Sequence, residues 1–208
     1  MSRIIAGSRG GRRLGTPTGD ATRPTTDRVR EALFSALGSW AGTAAGSPED
    51  ALAGLAFLDL YAGSGAVGLE AASRGAAPVL LVESDARTAA VARRNVDGLA
   101  LPATVRTSAV ETLARTAAER SYDVVFADPP YALASDRLDA VAADLVAHGW
   151  VAPGGLVVLE RSRRTPAPRW PEPVDESWER PYGETVLHLA VLRPSDPEPE
   201  PEPDSVAS

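Results

Sequence analysis

The chain has 208 residues, a net charge of −7 and no cysteine, so its length fits one domain with small appendages. The lack of cysteine excludes disulfide frameworks and thiolate metal sites. No apolar run approaches the roughly 18 residues of a membrane span, and arginines interrupt the N-terminus where a signal peptide would be apolar. We therefore expect a soluble, cytoplasmic protein that does not contact a membrane.

Charge is unevenly distributed along the chain. Residues 194–208 carry five carboxylates, alternate proline with acid and contain no basic residue, which predicts a disordered tail. Residues 1–30 carry seven arginines against two aspartates, and the chain has no lysine. A basic arm on an acidic body indicates a polyanionic partner that binds one face.

Residues 1–40 are predicted to form an RNA-binding extension made of a hairpin and a helix. Residues 3–14 are typical of a small β-hairpin, with Gly10 and Gly11 at the turn. Arginine suits RNA phosphates and stacked bases because its guanidinium is planar and weakly hydrated. The alternative is an edge hairpin that contacts nothing. The arginines expected on its solvated face are Arg9, Arg12 and Arg13.

The stretch Thr22-Arg-Pro-Thr-Thr-Asp27 leads into the helix of this extension. Capping of the helix by a threonine would explain the stretch without any function. The functional alternative places Arg23 and Thr25 over a bound cofactor, with Arg28 and Arg30 facing RNA. The apolar residues at helical spacing are Val29, Leu33, Phe34 and Leu37.

After a small-residue linker at 41–54, strands and helices alternate through a domain at 55–193. This alternation predicts an α/β fold with a parallel sheet and right-handed crossovers. Two further strands flank Pro181-Tyr-Gly183 and predict a closing antiparallel hairpin. The predicted strands are 55–59, 78–83, 103–107, 122–127, 155–160, 176–180 and 185–192, and the predicted helices are 65–75, 85–98, 109–119 and 134–147.

A glycine-rich turn directly follows the first of these strands. Gly63, Gly65 and Gly68 satisfy the G-x-G-x-x-G pattern, and Glu83 lies 20 residues after Gly63 at the end of the next strand. This pattern fits NAD as well as S-adenosylmethionine, because an acid at that position binds the ribose hydroxyls of either ligand. The residues of the turn that are expected to bind the cofactor are Ala62, Gly63, Ser64 and Gly65.

Asp59, at the start of the turn, distinguishes the two cofactors. A carboxylate would repel a pyrophosphate, whereas it attracts the ammonium and sulfonium of S-adenosylmethionine. After the third strand, we expect Ser108 to contact the adenine, with the Ala109 backbone N–H as a further donor. A simple helix N-cap is the alternative for Ser108.

The residues Asp128-Pro-Pro-Tyr131 directly follow the predicted strand 122–127. Pro129 and Pro130 remove two backbone donors and stiffen the loop, so its carbonyls point outward. The Asp128 carboxylate and the Pro129 carbonyl could each accept an N–H from an exocyclic base amine, favouring positive charge as the nitrogen attacks a methyl group. Tyr131 would stack on the base. A rigid turn without chemistry is the alternative.

This chemistry needs no histidine base, because the proton can leave after methyl transfer. The two histidines, His148 and His188, lie at a helix end and in a terminal strand, and we expect both to be structural. With two histidines and no cysteine, we expect no metal site. The whole interpretation requires Asp59 and Asp128 to face one crevice.

These motifs resemble the RsmD-type 16S ribosomal RNA guanine-N2 methyltransferases over roughly residues 2–192. The glycine turn is shared by most class I methyltransferases and Asp-Pro-Pro-Tyr by many amino methyltransferases, so Thr22-Arg-Pro-Thr-Thr-Asp-Arg-Val-Arg-Glu31 is the specific stretch. The other matching motifs are Arg3-Ile-Ile-Ala-Gly7, Asp59-Leu-Tyr-Ala-Gly-Ser-Gly65, Val82-Glu-Ser-Asp85, Asp128-Pro-Pro-Tyr131 and Tyr182-Gly183.

The resemblance implies a Rossmann-like class I methyltransferase fold with a seven-stranded, mostly parallel sheet. It also implies an S-adenosylmethionine donor and methylation of N2 of guanine 966 in 16S rRNA, within the small ribosomal subunit or its assembly intermediate. We expect a monomer. The family pattern assigns Asp59, Gly63 and Gly65 to the methionine end of the donor and Glu83 to the ribose. It assigns Asp128 and Pro129 to the target amine.

Other functions stay open from the sequence. The same chemistry could act on N6 of adenine in DNA or RNA, or on a protein glutamine, although the arginine-rich N-terminus disfavours the glutamine. A non-catalytic ribosome-assembly factor would not need Asp59 and Asp128. A nucleotide-dependent oxidoreductase would bind NADH and have no affinity for S-adenosylhomocysteine.

Overall fold

The computed structural model describes residues 2–17 and 26–194. The predictions for Arg23, Thr25 and residues 195–208 of the tail concern residues outside these ranges. In chain order the elements are β1 (Ser2–Arg3), β2 (Arg13–Leu14), α1 (Asp27–Trp40), β3 (Phe57–Leu60), α2 (Ala66–Ser73), β4 (Val79–Glu83), α3 (Ala86–Leu99), β5 (Ala103–Thr107), α4 (Val110–Ala114), β6 (Tyr122–Ala127), α5 (Ser135–Ala147), β7 (Val151–Ser162), β8 (Val174–Tyr182) and β9 (Thr185–Leu192).

Seven strands form one sheet in the order β5-β4-β3-β6-β7-β9-β8, and β1 pairs with β2 separately. The first five strands of this order run parallel, whereas β9 runs antiparallel to both of its neighbours. The predicted Rossmann-like fold with a terminal hairpin is therefore confirmed. The chain winds outward from β3 to β5 and then returns to β6 beside β3. This reversal creates a switch point at the carboxyl ends of β3 and β6, where ligands bind in such sheets.

Two apolar clusters sandwich the sheet because residues of the buried strands alternate between its faces. On β3, Phe57 packs into the cluster that includes α1 and α2, whereas Leu58 and Leu60 pack into the cluster that includes α4 and α5. Burial of each such side chain contributes about 1.5–3 kcal/mol. Asp59 shares the face of Phe57, and it is the polar exception in this strand.

The observed helix α4 is shorter than the predicted helix 109–119. After Arg115 the chain leaves the helix, and Ala118 N donates to His148 O at 2.9 Å. Trp150 Nε1 also donates to Thr116 O at 2.9 Å. These bonds tie the segment to the end of α5 and direct it into β6, which explains the early helix end.

The linker at 41–54, for which we expected variable structure, is built of consecutive turns that pack onto the domain. Leu52 is buried, and its N–H donates to Arg74 O at 2.8 Å. Thr43 Oγ1 donates to Ala51 O at 2.7 Å and closes the segment on itself. The expectation that it takes no part in the chemistry stays a prediction.

The predicted N-terminal hairpin exists, but α2 rather than its own short strands holds it in place. Glu70 of α2 is fully buried and accepts the backbone N–H groups of Ile5 at 2.6 Å and Ala6 at 2.9 Å. Arg74 pairs with the same carboxylate at 2.9 Å. A second anchor is Ser73, whose Oγ accepts from the N–H of Arg9 and donates to the carbonyl of Ala6.

We expect Glu70→Ala to lower the free energy of unfolding by about 3 kcal/mol, because it leaves a nearly buried arginine and two backbone N–H groups without their acceptor. Denaturant titration of the full chain measures this. Glu119→Ala is the control, since it breaks an ion pair with Arg106 in which the glutamate side chain is 77% exposed, and such pairs contribute about 0–1 kcal/mol. Equal losses in both variants would contradict the anchoring role.

Candidate active site

Three acidic residues lie at the carboxyl edge of the sheet, at the switch point. β3 and β6 run parallel with Leu60 beside Ala127, so Asp128 follows at the level of the end of β3. Glu83 ends β4, which is the other neighbour of β3. The charges of Asp128 and Glu83 both act on Asp59. Asp59 and Asp128 therefore lie at the same edge of the sheet, and their opening onto one crevice stays a prediction.

Asp59 is buried beneath the first turn of α2. Its carboxylate accepts a 2.8 Å hydrogen bond from Gly68 N, and only 1% of the residue is exposed. A side chain at position 68 would lie 2.2 Å from Leu81 Cδ2, so this close approach requires glycine. Burial raises the pKa of Asp59 to about 8, and the hydrogen bond from Gly68 offsets part of that rise.

The glycine turn is held by hydrogen bonds to its neighbouring strand. Ala62 N donates to Val82 O at 2.9 Å, and Gly63 N donates to Glu83 Oε2 at 2.9 Å. Gly65 N then closes the turn on Ala62 O at 2.8 Å. Gly63 and Gly65 both have a positive φ, at 57° and 85°. The turn is therefore fixed in a conformation that favours glycine.

Glu83 has acceptor capacity left for a ligand. One of its oxygens accepts from Gly63 N, and the other accepts from Asp85 N at 2.8 Å. The oxygen bound by Asp85 also accepts a long bond from Ser84 Oγ at 3.4 Å, whereas the oxygen bound by Gly63 keeps a second acceptor position, which suits a ribose hydroxyl. A Cβ built on Gly63 meets no atom within 4 Å, so the turn faces open space there. These features fit S-adenosylmethionine.

Ser108 follows β5 and lies beside Glu83 at the carboxyl edge of the sheet. Ser108 N donates to Glu83 O at 3.1 Å. The alternative that Ser108 caps the following helix is wrong, because α4 is capped at Ala109 and Ser108 Oγ donates to Ala109 O instead. The predicted contact of both residues with an adenine stays a prediction.

The Asp-Pro-Pro-Tyr loop leaves β6 and crosses the same edge. Asp128 is half-buried, Pro129 is buried, Pro130 is exposed, and Tyr131 is 67% exposed. The turn closes when Leu133 N donates to Pro130 O at 2.8 Å. The nearly buried Arg161 holds the end of the loop through a 3.0 Å bond from Nη2 to Leu133 O. An exposed tyrosine beside a half-buried acid suits a base that enters from solvent.

The prediction that Arg30 faces RNA is wrong. The residue is 1% exposed, and Nη2 donates to Arg3 O at 2.9 Å and to Asp27 Oδ1 at 2.7 Å. Arg30 lies on the apolar stripe with Leu33, Phe34 and Leu37, at spacings of three, four and seven residues, so it points into the fold. This spacing was visible in the sequence.

The other predicted RNA-contacting arginines are accessible to different degrees. Arg12, Arg13 and Arg28 are exposed. Arg9 is half-buried, and its Nε donates to Leu99 O at 2.7 Å, which anchors the hairpin on the end of α3. Their contact with RNA stays a prediction, and Arg9 has an additional structural role.

Both histidines occupy the structural positions that were predicted. His148 ends α5, with Nδ1 2.8 Å from Asp144 O. His188 is buried in β9, where burial lowers its pKa. Within residues 2–17 and 26–194, no cluster of metal-ligating side chains occurs. No helix in these ranges is long and apolar enough to span a membrane.

Sequence reasoning missed three side chains that shape the site. Tyr61 begins the glycine turn with φ 57°, and its buried hydroxyl has no hydrogen-bond partner among the described residues. Arg161 supports the acceptor loop, and the side chain of Asn95 donates to the carbonyl of Ser64 at 2.9 Å. A signal existed for Asn95, which interrupts the apolar stripe of α3.

The fold, the glycine turn with its buried acid, and the Asp-Pro-Pro-Tyr loop define a class I, S-adenosylmethionine-dependent methyltransferase. The chain belongs to the family described as conserved hypothetical protein 95, which matches residues 2–191.

Relatives with known names and structures agree with this assignment. The chain is 33% identical to ribosomal RNA small subunit methyltransferase D of Escherichia coli K12, over 90% of this chain and 88% of that protein. It is 30% identical to the protein of the same name from Haemophilus influenzae, over 79% and 80%. A solved structure of a hypothetical protein from Thermus thermophilus superposes with a TM-score of 0.73, at 33% identity, over 93% of this chain and 99% of that one.

Proposed function

We propose that this enzyme methylates the exocyclic N2 amine of guanine 966 in 16S rRNA, using S-adenosylmethionine. The observation that carries the proposal is the buried Asp59 beside Asp128 at the switch point of the sheet. Family membership supports ribosomal RNA as the substrate class, because the relatives from E. coli and H. influenzae are named ribosomal RNA small subunit methyltransferases. We further propose that it acts on the small subunit or its assembly intermediate, as a monomer in the cytoplasm.

The donor side of the proposed mechanism uses the glycine turn. Bound S-adenosylmethionine supplies the methyl group. Asp59 offers a buried carboxylate to the cationic end of the donor, and the Glu83 carboxylate takes the ribose hydroxyls. In the same proposal Ser108 and Ala109 border the adenine, and Arg23 and Thr25 close over the donor.

The acceptor side uses the Asp-Pro-Pro-Tyr loop. The lone pair of an aromatic amine is delocalised into the base, so the nitrogen is a weak nucleophile. Asp128 and the Pro129 carbonyl accept its N–H groups, hold the nitrogen in line and stabilise the positive charge that develops during attack. Pro130 stiffens this loop, and the exposed Tyr131 stacks on the extruded base. Water takes the proton after transfer.

Binding of RNA is assigned in this proposal to arginines of the N-terminal extension. Arg12, Arg13 and Arg28 are exposed, and an ion pair between Arg3, which is the strand partner of Arg13, and Asp27 brings the hairpin close to the start of α1. Arg9 adds its partly exposed guanidinium at the hairpin turn. Each phosphate contact of this kind makes affinity for RNA fall with salt concentration.

Small subunits isolated from a strain that lacks this enzyme provide the test. We expect incubation with S-adenosylmethionine to add one methyl group to 16S rRNA, recovered as N2-methylguanosine by nucleoside mass spectrometry and mapped to position 966. N6-methyladenosine as the product would replace the proposal with adenine methylation. Tight binding to subunits without any methyl transfer would instead indicate an assembly factor.

A further inference from the structure

Asn95 is the only asparagine in a chain that also has no glutamine. It lies in α3 and is 8% exposed. Its side-chain oxygen accepts from Gly15 N at 2.8 Å, and its Nδ2 donates to Gly15 O at 3.0 Å and to Ser64 O at 2.9 Å. A neutral amide offers a donor and an acceptor together, which one carboxylate or one guanidinium does not. This one side chain therefore joins two segments that are far apart in sequence.

On the donor side, Asn95 fixes the orientation of a peptide group in the glycine turn. The Ser64 carbonyl is directed at Nδ2, and the N–H of the same peptide group, on Gly65, is directed at Ala62 O. Gly63 N is held by Glu83 at the preceding residue. Loss of Asn95 would free the carbonyl of Ser64 and allow this peptide plane to rotate.

On the other side, Asn95 binds both backbone groups of Gly15, just after β2 of the N-terminal arm, which we define as residues 2–17. The packing there is tight, since a Cβ at position 15 would lie 3.2 Å from Asn95 Oδ1. The other anchors hold residues 3–9 of the arm through Glu70, Ser73, Arg30 and the carbonyl of Leu99. Among the described residues, none of these hydrogen bonds reaches the glycine turn. Asn95 thus links the arm directly to the turn.

We propose that Asn95 is a positioning residue that couples the N-terminal arm to the donor-binding turn, so that docking of the arm and binding of the donor strengthen each other. The proposal rests on the assignment of the donor to this turn. Coupling between two sites is reciprocal, so whatever holds Gly15 against α3 also favours the donor-binding conformation of Ser64. An RNA that engages the arm would then bind the donor-loaded enzyme more tightly.

Two substitutions at position 95 test the link. Asn95→Ala removes all three hydrogen bonds. Asn95→Asp keeps an acceptor for Gly15 N but removes the donor to Ser64 O and sets a carboxylate against two carbonyls. Calorimetric titration of the full chain should show S-adenosylmethionine binding weakened about tenfold in both variants, the equivalent of one or two lost hydrogen bonds.

The matched control is Ser73→Ala, which loosens the arm at residues 6–9 and leaves the turn untouched. We expect it to lower the melting temperature as Asn95→Ala does, while its affinity for S-adenosylmethionine stays within about twofold of the wild type. Hydrogen exchange adds a readout that reports coupling. S-adenosylhomocysteine should slow exchange at the Gly15 amide in the wild type, and this protection should be absent in Asn95→Ala.

Each outcome bears on the proposal. Equal donor affinities in Asn95→Ala and Ser73→Ala, or protection of the Gly15 amide that persists in Asn95→Ala, would overturn the coupling while leaving the proposed function intact. A wild-type enzyme that binds neither S-adenosylmethionine nor S-adenosylhomocysteine would overturn both. The proposal is supported if donor binding weakens in both position-95 variants but not in Ser73→Ala, and if protection of the Gly15 amide is lost in Asn95→Ala.

Discussion

Replacing Asp128 by asparagine is expected to abolish most methyl transfer without weakening donor binding. The carboxylate carries a negative charge, whereas the asparagine amide is neutral, so it stabilises the positive charge that builds on the target amine less well. Removal of one such stabilising group typically costs about 10²–10³ in rate. We therefore expect single-turnover transfer of a radiolabelled methyl group to fall by at least about 100-fold.

Asp136→Asn is the matched control for this prediction. It makes the same chemical change eight residues further on, where the aspartate is exposed in the first turn of α5 and accepts from Arg137 N. We expect full activity from this variant. If Asp128→Asn kept more than about a tenth of the wild-type rate, or lost donor affinity in step with its rate, the role at the acceptor amine would be wrong.

Asp59→Asn is expected to weaken the binding of S-adenosylmethionine and to remove its dependence on pH. Burial raises the pKa of Asp59 to about 8 in the free enzyme, so the group is largely protonated at pH 7. A cationic ligand favours the ionised form, and binding below about pH 8 therefore releases a proton. Wild-type affinity should rise by up to about tenfold per pH unit between about pH 6 and pH 8, and the variant should show no such rise.

Titration calorimetry in buffers of different ionisation enthalpy counts the proton that is released. S-adenosylhomocysteine refines the result, because it keeps the ammonium group and lacks the sulfonium charge. A smaller loss of affinity for this ligand than for S-adenosylmethionine in Asp59→Asn would identify the sulfonium as the partner of the carboxylate. Equal pH profiles for wild type and variant would refute a charge role for Asp59.

Asp59→Asn should raise the free energy of unfolding, although it weakens donor binding. Because the folded-state pKa of Asp59 lies above its unfolded value of 3.8, the folded protein holds an extra proton between about pH 4 and pH 8 and loses stability as pH rises through that range. The asparagine variant avoids this loss. Without ligand at pH 8, its free energy of unfolding should exceed that of the wild type by about 2 kcal/mol or more. A variant that is more stable and yet binds the donor less well would separate the two effects.

The order of elements and the glycine turn after β3 were predictable because buried parallel strands and glycine turns leave strong local patterns. The buried face of a helix that carries charged residues was less predictable. Arg30 was assigned to solvent on the basis of its charge, although its spacing from Leu33 and Leu37 placed it on the buried stripe. Glu70 was not singled out at all. A charged residue in an apolar helix indicates that its side chain has a hydrogen-bond or ion-pair partner, but it does not indicate which residue that partner is.

Partners distant in sequence were not predictable. Glu70 binds backbone N–H groups 64 and 65 residues away, and Asn95 binds Gly15 from 80 residues away. The distant partners of both side chains are main-chain groups, which every residue carries, so no pattern of residue types marks them. Donor contacts of Ser108 and base stacking by Tyr131 also depend on molecules that the sequence does not describe.

The way in which the arm is held has a consequence for how such enzymes diversify. The arm is held by hydrogen bonds from its peptide groups to the side chains of Glu70, Ser73 and Asn95. The exposed arginine side chains of the arm take no part in these bonds. The outward side chains of the arm can therefore change without loss of these hydrogen bonds, while the domain that carries the active site stays the same. Arms transplanted between homologues that modify different nucleotides should dock normally and carry their preference for target with them.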